Sequence, residues 1–195
     1  MKSFHVKSKW VIGFTGSMLS GKSTALAYFA KCGAATFSCD EIARELYQKP
    51  QIVKKIERMF GTADKAKIAA LIFKNNAKRQ ALENLLHPLI FGELQTRIAQ
   101  CSRRVIVIEI PLLFEKGWDQ FTDLNIAVLA DPKTLPQRLR GRNLTQQEYT
   151  RRVQYQLKDE EKAARADVVF FHTNKAQLKK SVERFCHVFE VLQSK

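Results

Sequence analysis

The chain has 195 residues, of which 45% are hydrophobic, so it can bury the core of one sizeable α/β domain. Its 33 Lys and Arg residues outnumber its 19 Asp and Glu residues, and the formal net charge of +14 favours anionic partners such as nucleotides, nucleic acid or acidic surfaces. An apolar run of 18 or more residues is absent from the sequence, and residues 1–9 lack the apolar stretch of a secretory signal. We therefore expect a cytoplasmic protein without a membrane partner.

The basic residues and the cysteines point to no macromolecular ligand and no metal cluster. Basic residues never form a block longer than two, so the charge alone does not predict nucleic-acid binding. None of the four cysteines belongs to a CxxC pair, so neither a zinc site nor a redox motif is indicated. We expect a monomer or weak homo-oligomer without a nucleic-acid partner.

The first half of the chain begins with two short strands and continues with helices. Residues 10–14 and 34–39 are short apolar runs typical of buried strands, and the helical spacing of residues 23–32 ends at Gly33. Asp40 follows and immediately precedes the next segment, residues 41–48. Helices are predicted for residues 52–60, 67–75 and 77–86, the pair His87-Pro88 predicts a break, and residues 89–101 resume the helical pattern.

The second half alternates strands with helices. Residues 104–110 form a nearly continuous β-branched run, which is typical of a strand buried on both faces, and residues 124–130 and 167–171 are similar. Helices are predicted for residues 133–142, 146–165 and 176–192. The alternation predicts a five-stranded parallel sheet with helices on both faces, and the almost purely helical stretch 52–100 predicts a helical sub-domain inserted between two strands.

The segment after the first strand carries a phosphate-binding motif. Residues 16–23 fit G-x-x-x-x-G-K-[ST], with a strand before the motif and a helix after it. Such a loop cradles phosphate oxygens with its backbone N–H groups at a helix N-terminus. Lys22 is expected to reach the β- and γ-phosphates of a nucleoside triphosphate and Ser23 to ligate Mg²⁺. A chance match in a structural turn is the alternative. The predicted nucleotide-binding residues of the loop are Gly16, Ser17, Met18, Leu19, Ser20, Gly21, Lys22, Ser23 and Thr24.

Two carboxylates follow predicted strands, at the sheet edge where open parallel sheets bind ligands. Asp40 is placed to take a proton from an acceptor hydroxyl as a general base, or it caps the helix that starts at Glu41. Glu109 ends the most apolar strand, where it is predicted to hold Mg²⁺ through water. The alternative for Glu109 is a strand-end charge that stays solvated.

A basic helix carries candidate ligands for a triphosphate. Arg138 and Arg142 lie one helical turn apart in the sequence and can face the same way. Two guanidinium groups over the phosphates stabilise the charge of a phosphoryl group in transfer. A solvated helix face is the alternative.

Taken in order, these elements resemble the dephospho-coenzyme A kinase family over residues 11–192. The resemblance rests on the phosphate loop 15–24, on a D-x-I-A-R element at residues 40–44 and on Leu86-His87-Pro88. It rests further on E-x-P-L-L-x-E at residues 109–115 and on the segment from Gln156 through residues 162–169.

The resemblance implies a P-loop kinase fold and an activity. The family transfers the γ-phosphate of ATP to the ribose 3′-hydroxyl of dephospho-CoA. Asp40 matches its catalytic carboxylate, Lys22 and Ser23 match its ATP and Mg²⁺ site, and Arg142 matches an arginine of its lid. The implied organisation is a core of about 9–50, 102–132 and 164–195, a helical acceptor sub-domain of about 51–101 and a lid of about 133–163. The acceptor-side residues so implied are Arg44, His87, Leu112 and Glu115.

The sequence departs from the family pattern at several positions. Ser17 stands where a second Gly is usual, Ser38 replaces an Asp, and residues 172–174 replace Asn-x-Gly. Two other functions therefore stay open from the sequence. One is another nucleoside or nucleotide kinase built on the same loop. The other is a degenerate nucleotide-binding protein with weak turnover.

Overall fold

The computed structural model describes residues 4–193. Residues 1–3 of the N-terminal segment and residues 194–195 of the predicted core lie outside this described part. The strands are β1 (Trp10–Thr15), β2 (Ala35–Ser38), β3 (Val105–Glu109), β4 (Leu124–Ala130) and β5 (Val168–His172). The helices are α1 (Lys22–Lys31), α2 (Cys39–Leu46), α3 (Pro50–Phe60), α4 (Lys65–Lys74), α5 (Asn76–Gln100), α6 (Leu135–Arg140), α7 (Gln146–Val153), α8 (Asp159–Arg165) and α9 (Lys175–Gln193).

The five strands form one parallel sheet in the order β2-β3-β1-β4-β5, which confirms the predicted fold class. β1 is central, with Phe14 opposite Glu109 of β3 and Ile126 of β4. Nearly every residue of β1 and β3 is buried, because a parallel strand in the middle of such a sheet is covered on both faces. The first strand therefore delivers the residues that follow Thr15 to the carboxyl edge of the sheet.

One face of the sheet packs against α1 and α9. Ile12 and Phe14 point to this face, where the Phe14 ring meets the Phe29 ring edge-on with 5.5 Å between centroids. Phe29 of α1 also stacks on Phe170 of β5, and Val182 of α9 closes the cluster. Burial of these side chains anchors α1, and so fixes the direction of the loop that precedes it.

The opposite face is covered by the segment after β3 and by α8. A Cβ atom at Gly13 would lie 3.1 Å from the side chain of Leu113, so the segment packs directly on β1. The guanidinium of Arg165 lies 4.9 Å from the ring centroid of Phe114, which places α8 beside the same segment. The sheet thus carries helices on both faces, as the sequence predicts.

Backbone contacts divide the chain into two compact units. One contains the sheet and comprises residues up to Ser38 and from Gln100 onward, and the other is Cys39–Ala99. The second unit is helical throughout and carries a buried apolar set of its own. That set includes Ile42, Leu46, Ile52, Ile56, Ile68, Leu82, Leu86, Ile90, Leu94 and Ile98.

The predicted break at His87-Pro88 is wrong. α5 runs without interruption over 25 residues with Pro88 inside it. Pro88 lacks the N–H that would bond the carbonyl four residues earlier. Buried apolar residues nevertheless recur every four positions on both sides of it, from Leu82 to Ile98. The burial of this stripe outweighs the local penalty of about 3 kcal/mol for an internal proline.

The predicted helix over residues 146–165 is also wrong, because it ends at Val153 and restarts at Asp159. The N–H of Leu157 is donated to the Glu115 carboxylate over 2.8 Å instead of to a helical carbonyl. Lys158 is the N-cap of the new helix, and its backbone N–H donates to Oε2 of Glu161 over 3.0 Å. A contact with a residue distant in sequence therefore divides this region. The predicted helix 133–142 is shorter too, with a 3-10 turn at Pro132–Thr134 before α6.

Within residues 4–193, no helix combines the length and the apolar character needed to cross a bilayer.

Candidate functional site

The loop between β1 and α1 has the backbone of a phosphate cradle. A Cβ atom at Gly16 would lie 2.4 Å from the carbonyl oxygen of Val128, so only glycine fits there. Gly21 has φ +97°, a left-handed conformation that other residues adopt rarely, and it immediately precedes Lys22, the first residue of α1. Both glycines of the motif are therefore required by the geometry of the turn.

Two polar side chains hold the middle of the loop. Leu19 has φ +67°, an unusual value for a residue with a branched side chain. Its carbonyl oxygen accepts a 2.8 Å hydrogen bond from Nη1 of Arg138. Nζ of Lys22 donates to the carbonyl oxygen of Ser17 over 3.0 Å. The charged groups of Arg138 and Lys22 thus lie at the loop, and burial lowers the pKa of Arg138 from its usual value.

His172 supports the loop from the end of β5. The side chain is 2% exposed, and its Nε2 lies 2.7 Å from the carbonyl oxygen of Ser20. Its Nδ1 lies 3.2 Å from the carbonyl oxygen of Asn174. The sequence marked His172 only as a departure from the family pattern, and it carried no signal for this contact, because the two residues are 152 positions apart.

A further contact holds Ser17, the loop residue that follows Gly16. The hydroxyl of Ser17 donates a hydrogen bond to Oδ1 of Asp159, the first residue of α8. Ser17 is 9% exposed, so this bond is largely shielded from water. Nothing in the sequence singled out Asp159.

An open cavity of about 520 Å³ lies beside the loop and the start of α1. It brings together loop residues, both predicted arginines and the residues that follow β5. A cavity of this size accommodates a nucleotide-sized ligand. The lining residues are Leu19, Gly21, Lys22, Ser23, Thr24, Thr134, Gln137, Arg138, Gly141, Arg142, His172, Thr173, Asn174, Lys175 and Leu178.

The two arginines do not form a solvated helix face. Arg138 is half-buried and donates to Leu19 and, through Nε, to the hydroxyl of Thr134 over 2.9 Å. Arg142 lies two residues beyond the end of α6, is exposed, and lines the cavity. Both arginines therefore line the same cavity, although only Arg138 lies within α6. Arg140 of the same helix is exposed and does not line the cavity.

The two candidate carboxylates differ in their surroundings. Glu109 ends β3 and is 5% exposed, so the alternative of a solvated strand-end charge is wrong. Asp40 follows the last residue of β2 by two positions and lies in the first turn of α2, which begins at Cys39. It is exposed and lies inside the helix, so the alternative of a helix cap before Glu41 is also wrong.

The residues predicted for the acceptor side are distributed over both units. Leu112 is half-buried in the segment after β3. The carboxylate of Glu115 accepts a bond from the N–H of Leu157 and lies 3.4 Å from Nζ of Lys162. In the helical unit, exposed Arg44 lies on α2 and half-buried His87 lies on α5. Their role in binding an acceptor stays a prediction.

The loop has groups that fit phosphate and Mg²⁺. The hydroxyl of Ser20 is buried and has no hydrogen-bond partner in residues 4–193, so it is available to a phosphate oxygen. In that described part, no three His, Cys, Asp or Glu side chains form a metal-binding group. Mg²⁺ bound mainly by phosphates and water needs no such group. Hydroxyl and carboxylate oxygens, such as those of Ser23 and Glu109, are the donors that this ion prefers.

Comparison with known proteins identifies the family. A family model described as dephospho-CoA kinase (CoaE) matches residues 10–180. A dephospho-CoA kinase of Fusobacterium nucleatum is 32% identical over 186 residues, which cover 90% of this chain and 96% of that protein. A crystal structure titled TT1252 from Thermus thermophilus has a TM-score of 0.82 at 27% identity and covers 95% of this chain and 97% of its own. A dephospho-CoA kinase structure from Campylobacter jejuni, at 23% identity, covers 91% of this chain and 97% of its own and shares the fold with a TM-score of 0.62. The strand–loop–helix site described above therefore sits in a chain that belongs to the dephospho-CoA kinase family.

Proposed function

We propose that this protein transfers the γ-phosphoryl group of ATP to the ribose 3′-hydroxyl of dephospho-CoA and so forms coenzyme A. The observation that carries the proposal is the family match over residues 10–180, which contains the complete phosphate loop and its cavity. A chain that keeps both motif glycines in the conformations they require, together with Lys22 and Ser23, has the parts for nucleotide binding and turnover.

The reaction requires one bond to break and one to form. The bond between the γ-phosphorus and the β,γ-bridging oxygen breaks, and the acceptor 3′-oxygen forms a new bond to the same phosphorus. The proton of the acceptor hydroxyl goes to the Asp40 carboxylate, which acts as general base. ADP leaves with the bridging oxygen. Asp40 is exposed in the first turn of α2, where an acceptor hydroxyl can reach its carboxylate from solvent.

Positive charge near the loop stabilises the transferring group. Lys22 is held at the loop by the Ser17 carbonyl, and a bound triphosphate offers this ammonium group more strongly charged oxygens. Arg138 and Arg142, both lining the cavity, oppose the negative charge that spreads over the equatorial oxygens. Backbone N–H groups at the start of α1 add further donors.

Ser23 and Glu109 are the residues proposed to hold Mg²⁺, Ser23 through its hydroxyl and Glu109 through a water molecule. The ion supplies charge neutralisation at the β- and γ-phosphates when it is bound. Glu109 is buried at the end of β3, and a carboxylate oxygen is a donor that Mg²⁺ prefers.

We assign the helices of residues 51–101 to acceptor binding and residues 133–163 to a lid, with the remaining described residues as the core. The compact helical unit at Cys39–Ala99 supports the first assignment. The position of Arg138 and Arg142 on one cavity with the phosphate loop supports the second.

One assay tests the function directly. Purified protein with Mg-ATP and dephospho-CoA is followed for ADP release and for coenzyme A by mass. Asp40→Asn is expected to lower kcat by 100-fold or more while ATP binding is retained, because a general base contributes about 10²–10⁴-fold. Glu41→Gln, which changes the neighbouring exposed carboxylate on the same helix turn, is the matched control and retains activity.

The outcomes separate the alternatives. Phosphorylation of other nucleosides or nucleotides in preference to dephospho-CoA identifies a different kinase on the same loop. ATP binding without turnover of any acceptor identifies a degenerate nucleotide-binding protein. Dephospho-CoA itself is expected to raise the melting temperature, since a ligand that binds only the folded state must do so.

A further inference from the structure

The hydrogen bond between Ser17 and Asp159 joins two positions that are 142 residues apart in the chain. Ser17 is the loop residue that departs from the usual glycine of the family. A serine at this position adds a hydroxyl group beside the phosphate site, and a buried hydroxyl is unfavourable unless it is bonded. The Asp159 carboxylate accepts that bond. The departure in the loop is therefore matched by a partner in α8.

Ser17 also bonds to two other residues of the loop. Its carbonyl oxygen accepts hydrogen bonds from Nζ of Lys22, at 3.0 Å, and from the N–H of Ser20, at 3.1 Å. A rotation of the Ser17 backbone would move the turn at residues 17–20 and the anchor of the lysine together. The side-chain bond to Asp159 opposes that rotation.

Asp159 lies on a helix that is itself held in place. Nζ of Lys162, on the next turn of α8, is 0% exposed and lies 3.4 Å from the Glu115 carboxylate. Glu115 also accepts the N–H of Leu157, just before the helix, and Arg165 at the helix end pairs with Asp119 over 3.2 Å. Two contacts from α8 and one from the residue Leu157 before it thus anchor this helix, which carries Asp159, to the segment after β3.

We propose that Asp159 is a positioning residue for the phosphate loop, which holds the Ser17 turn in the conformation that receives the ATP phosphates. It acts through Ser17, and Asp159 is not among the residues that line the cavity. The proposal rests on the ATP use contained in the proposed function, but it does not depend on the identity of the acceptor.

On charge alone, Asp159 would have the opposite effect on ATP binding. A carboxylate near the loop repels a triphosphate, so its removal would tighten ATP binding. The hydrogen-bond role and the charge role predict opposite results for Asp159→Ala. They also differ for Asp159→Asn, because the amide oxygen still accepts the Ser17 hydroxyl while the charge is gone.

The test measures the Kd of Mg-ATP by titration calorimetry in the absence of acceptor, for the variants Ser17→Ala, Asp159→Ala, Asp159→Asn and the double variant Ser17→Ala/Asp159→Ala. We expect about a tenfold weaker Kd for Asp159→Ala and for Ser17→Ala, the lower end for a hydrogen bond to a charged group. The Kd of Asp159→Asn is expected to lie within threefold of that of the unmodified protein. The double variant is expected to bind Mg-ATP no more weakly than either single variant. Glu160→Ala, which removes the exposed neighbouring carboxylate, is the control.

Kinetics provide the second measurement. A positioning role raises KM for ATP and leaves KM for dephospho-CoA unchanged, whereas general loss of structure affects both and lowers the melting temperature of the nucleotide-free protein. Tighter ATP binding by Asp159→Ala, additive losses in the double variant, or an equal loss in Asp159→Asn would each overturn the proposal. Because the calorimetry contains no acceptor, absence of dephospho-CoA turnover would overturn the proposed function and leave this result unaffected.

Discussion

Two residues in different units of this protein violate a local conformational rule, and they are held in different ways. Leu19 in the phosphate loop adopts a left-handed φ of +67°, and Pro88 lies inside α5. A directional hydrogen bond from Arg138 holds the Leu19 carbonyl, whereas Pro88 lies in a helix with a buried apolar residue at every fourth position from Leu82 to Ile98. A ligand-binding loop is therefore shaped by few polar contacts, and a structural helix by many apolar ones.

The largest effect is expected where the apolar support of α5 is removed. Leu94 is 0% exposed, and Leu94→Ala is expected to lower the free energy of unfolding by about 2–5 kcal/mol, because it deletes buried methyl groups and leaves a cavity. Urea titration measures the change. Asn84→Ala on the exposed side of the same helix should change stability by less than about 0.5 kcal/mol. Equal losses in the two variants would show that the stripe does not support the helix.

Removal of the polar support of the loop should act on ligand binding. Arg138→Ala leaves the Leu19 carbonyl without its donor and takes a positive charge from the cavity. We expect ATP binding to weaken by about 10- to 100-fold, equivalent to about 1.5–3 kcal/mol for a charged hydrogen bond. Calorimetry with Mg-ATP measures it. The control is Arg140→Ala on the same short helix, whose side chain is exposed and outside the cavity lining. Similar losses in both would indicate a general effect of net charge.

Replacement of the internal proline is expected to increase the free energy of unfolding. Pro88→Ala restores a backbone N–H and is expected to raise the free energy of unfolding by about 2 kcal/mol, since part of the gain is offset by a freer unfolded chain. Pro50 is the first residue of α3, where proline is well tolerated, so Pro50→Ala should lower stability slightly. Thermal and urea unfolding of both variants check the opposite signs. A loss of stability in Pro88→Ala would contradict the view that packing overrides a local penalty.

The smallest effect concerns the left-handed loop residue itself. Leu19→Gly removes the cost of a left-handed backbone, which is about 1–2 kcal/mol for a residue with a side chain. The glycine also makes the unfolded chain more flexible, which lowers the free energy of unfolding by about 0.5–1 kcal/mol. We expect a gain in stability of up to about 1 kcal/mol in the absence of nucleotide. Met18→Gly, next to it and without a positive φ, should be destabilising instead. Destabilisation of both variants by the same amount would show that the Leu19 backbone is not strained.

Much of the fold could be predicted because its signals are local. The five strands are short β-branched or apolar runs, and alternation with helices indicates a parallel sheet. The phosphate loop was also predictable, because its glycines are required by the backbone of one short turn. The predicted helix boundaries are wrong where contacts with residues distant in sequence decide whether a helix continues. Pro88 lies inside a helix with a buried apolar stripe, and the N–H of Leu157 donates to Glu115.

The candidate site was predicted only in part, for the same reason. The sequence predicts Lys22, Arg138 and Arg142 as ligands of the phosphates, and the structure brings them to one cavity. The sequence does not predict a role for His172 or Asp159, although both bond the loop. Each lies more than 140 positions from its partner, and neither has a spacing pattern that could report the contact.

The sequence by itself determined the succession of strands and helices along the chain, the phosphate loop and the resemblance to the family. Each of these depends on short stretches whose residues are neighbours in sequence. Only the tertiary structure decided which side chains hold the loop and which helix continues through a proline. Hydrogen bonds and burial act over distances in space, and the energy of a contact such as Ser17 with Asp159 or His172 with Ser20 exists only when the chain has folded.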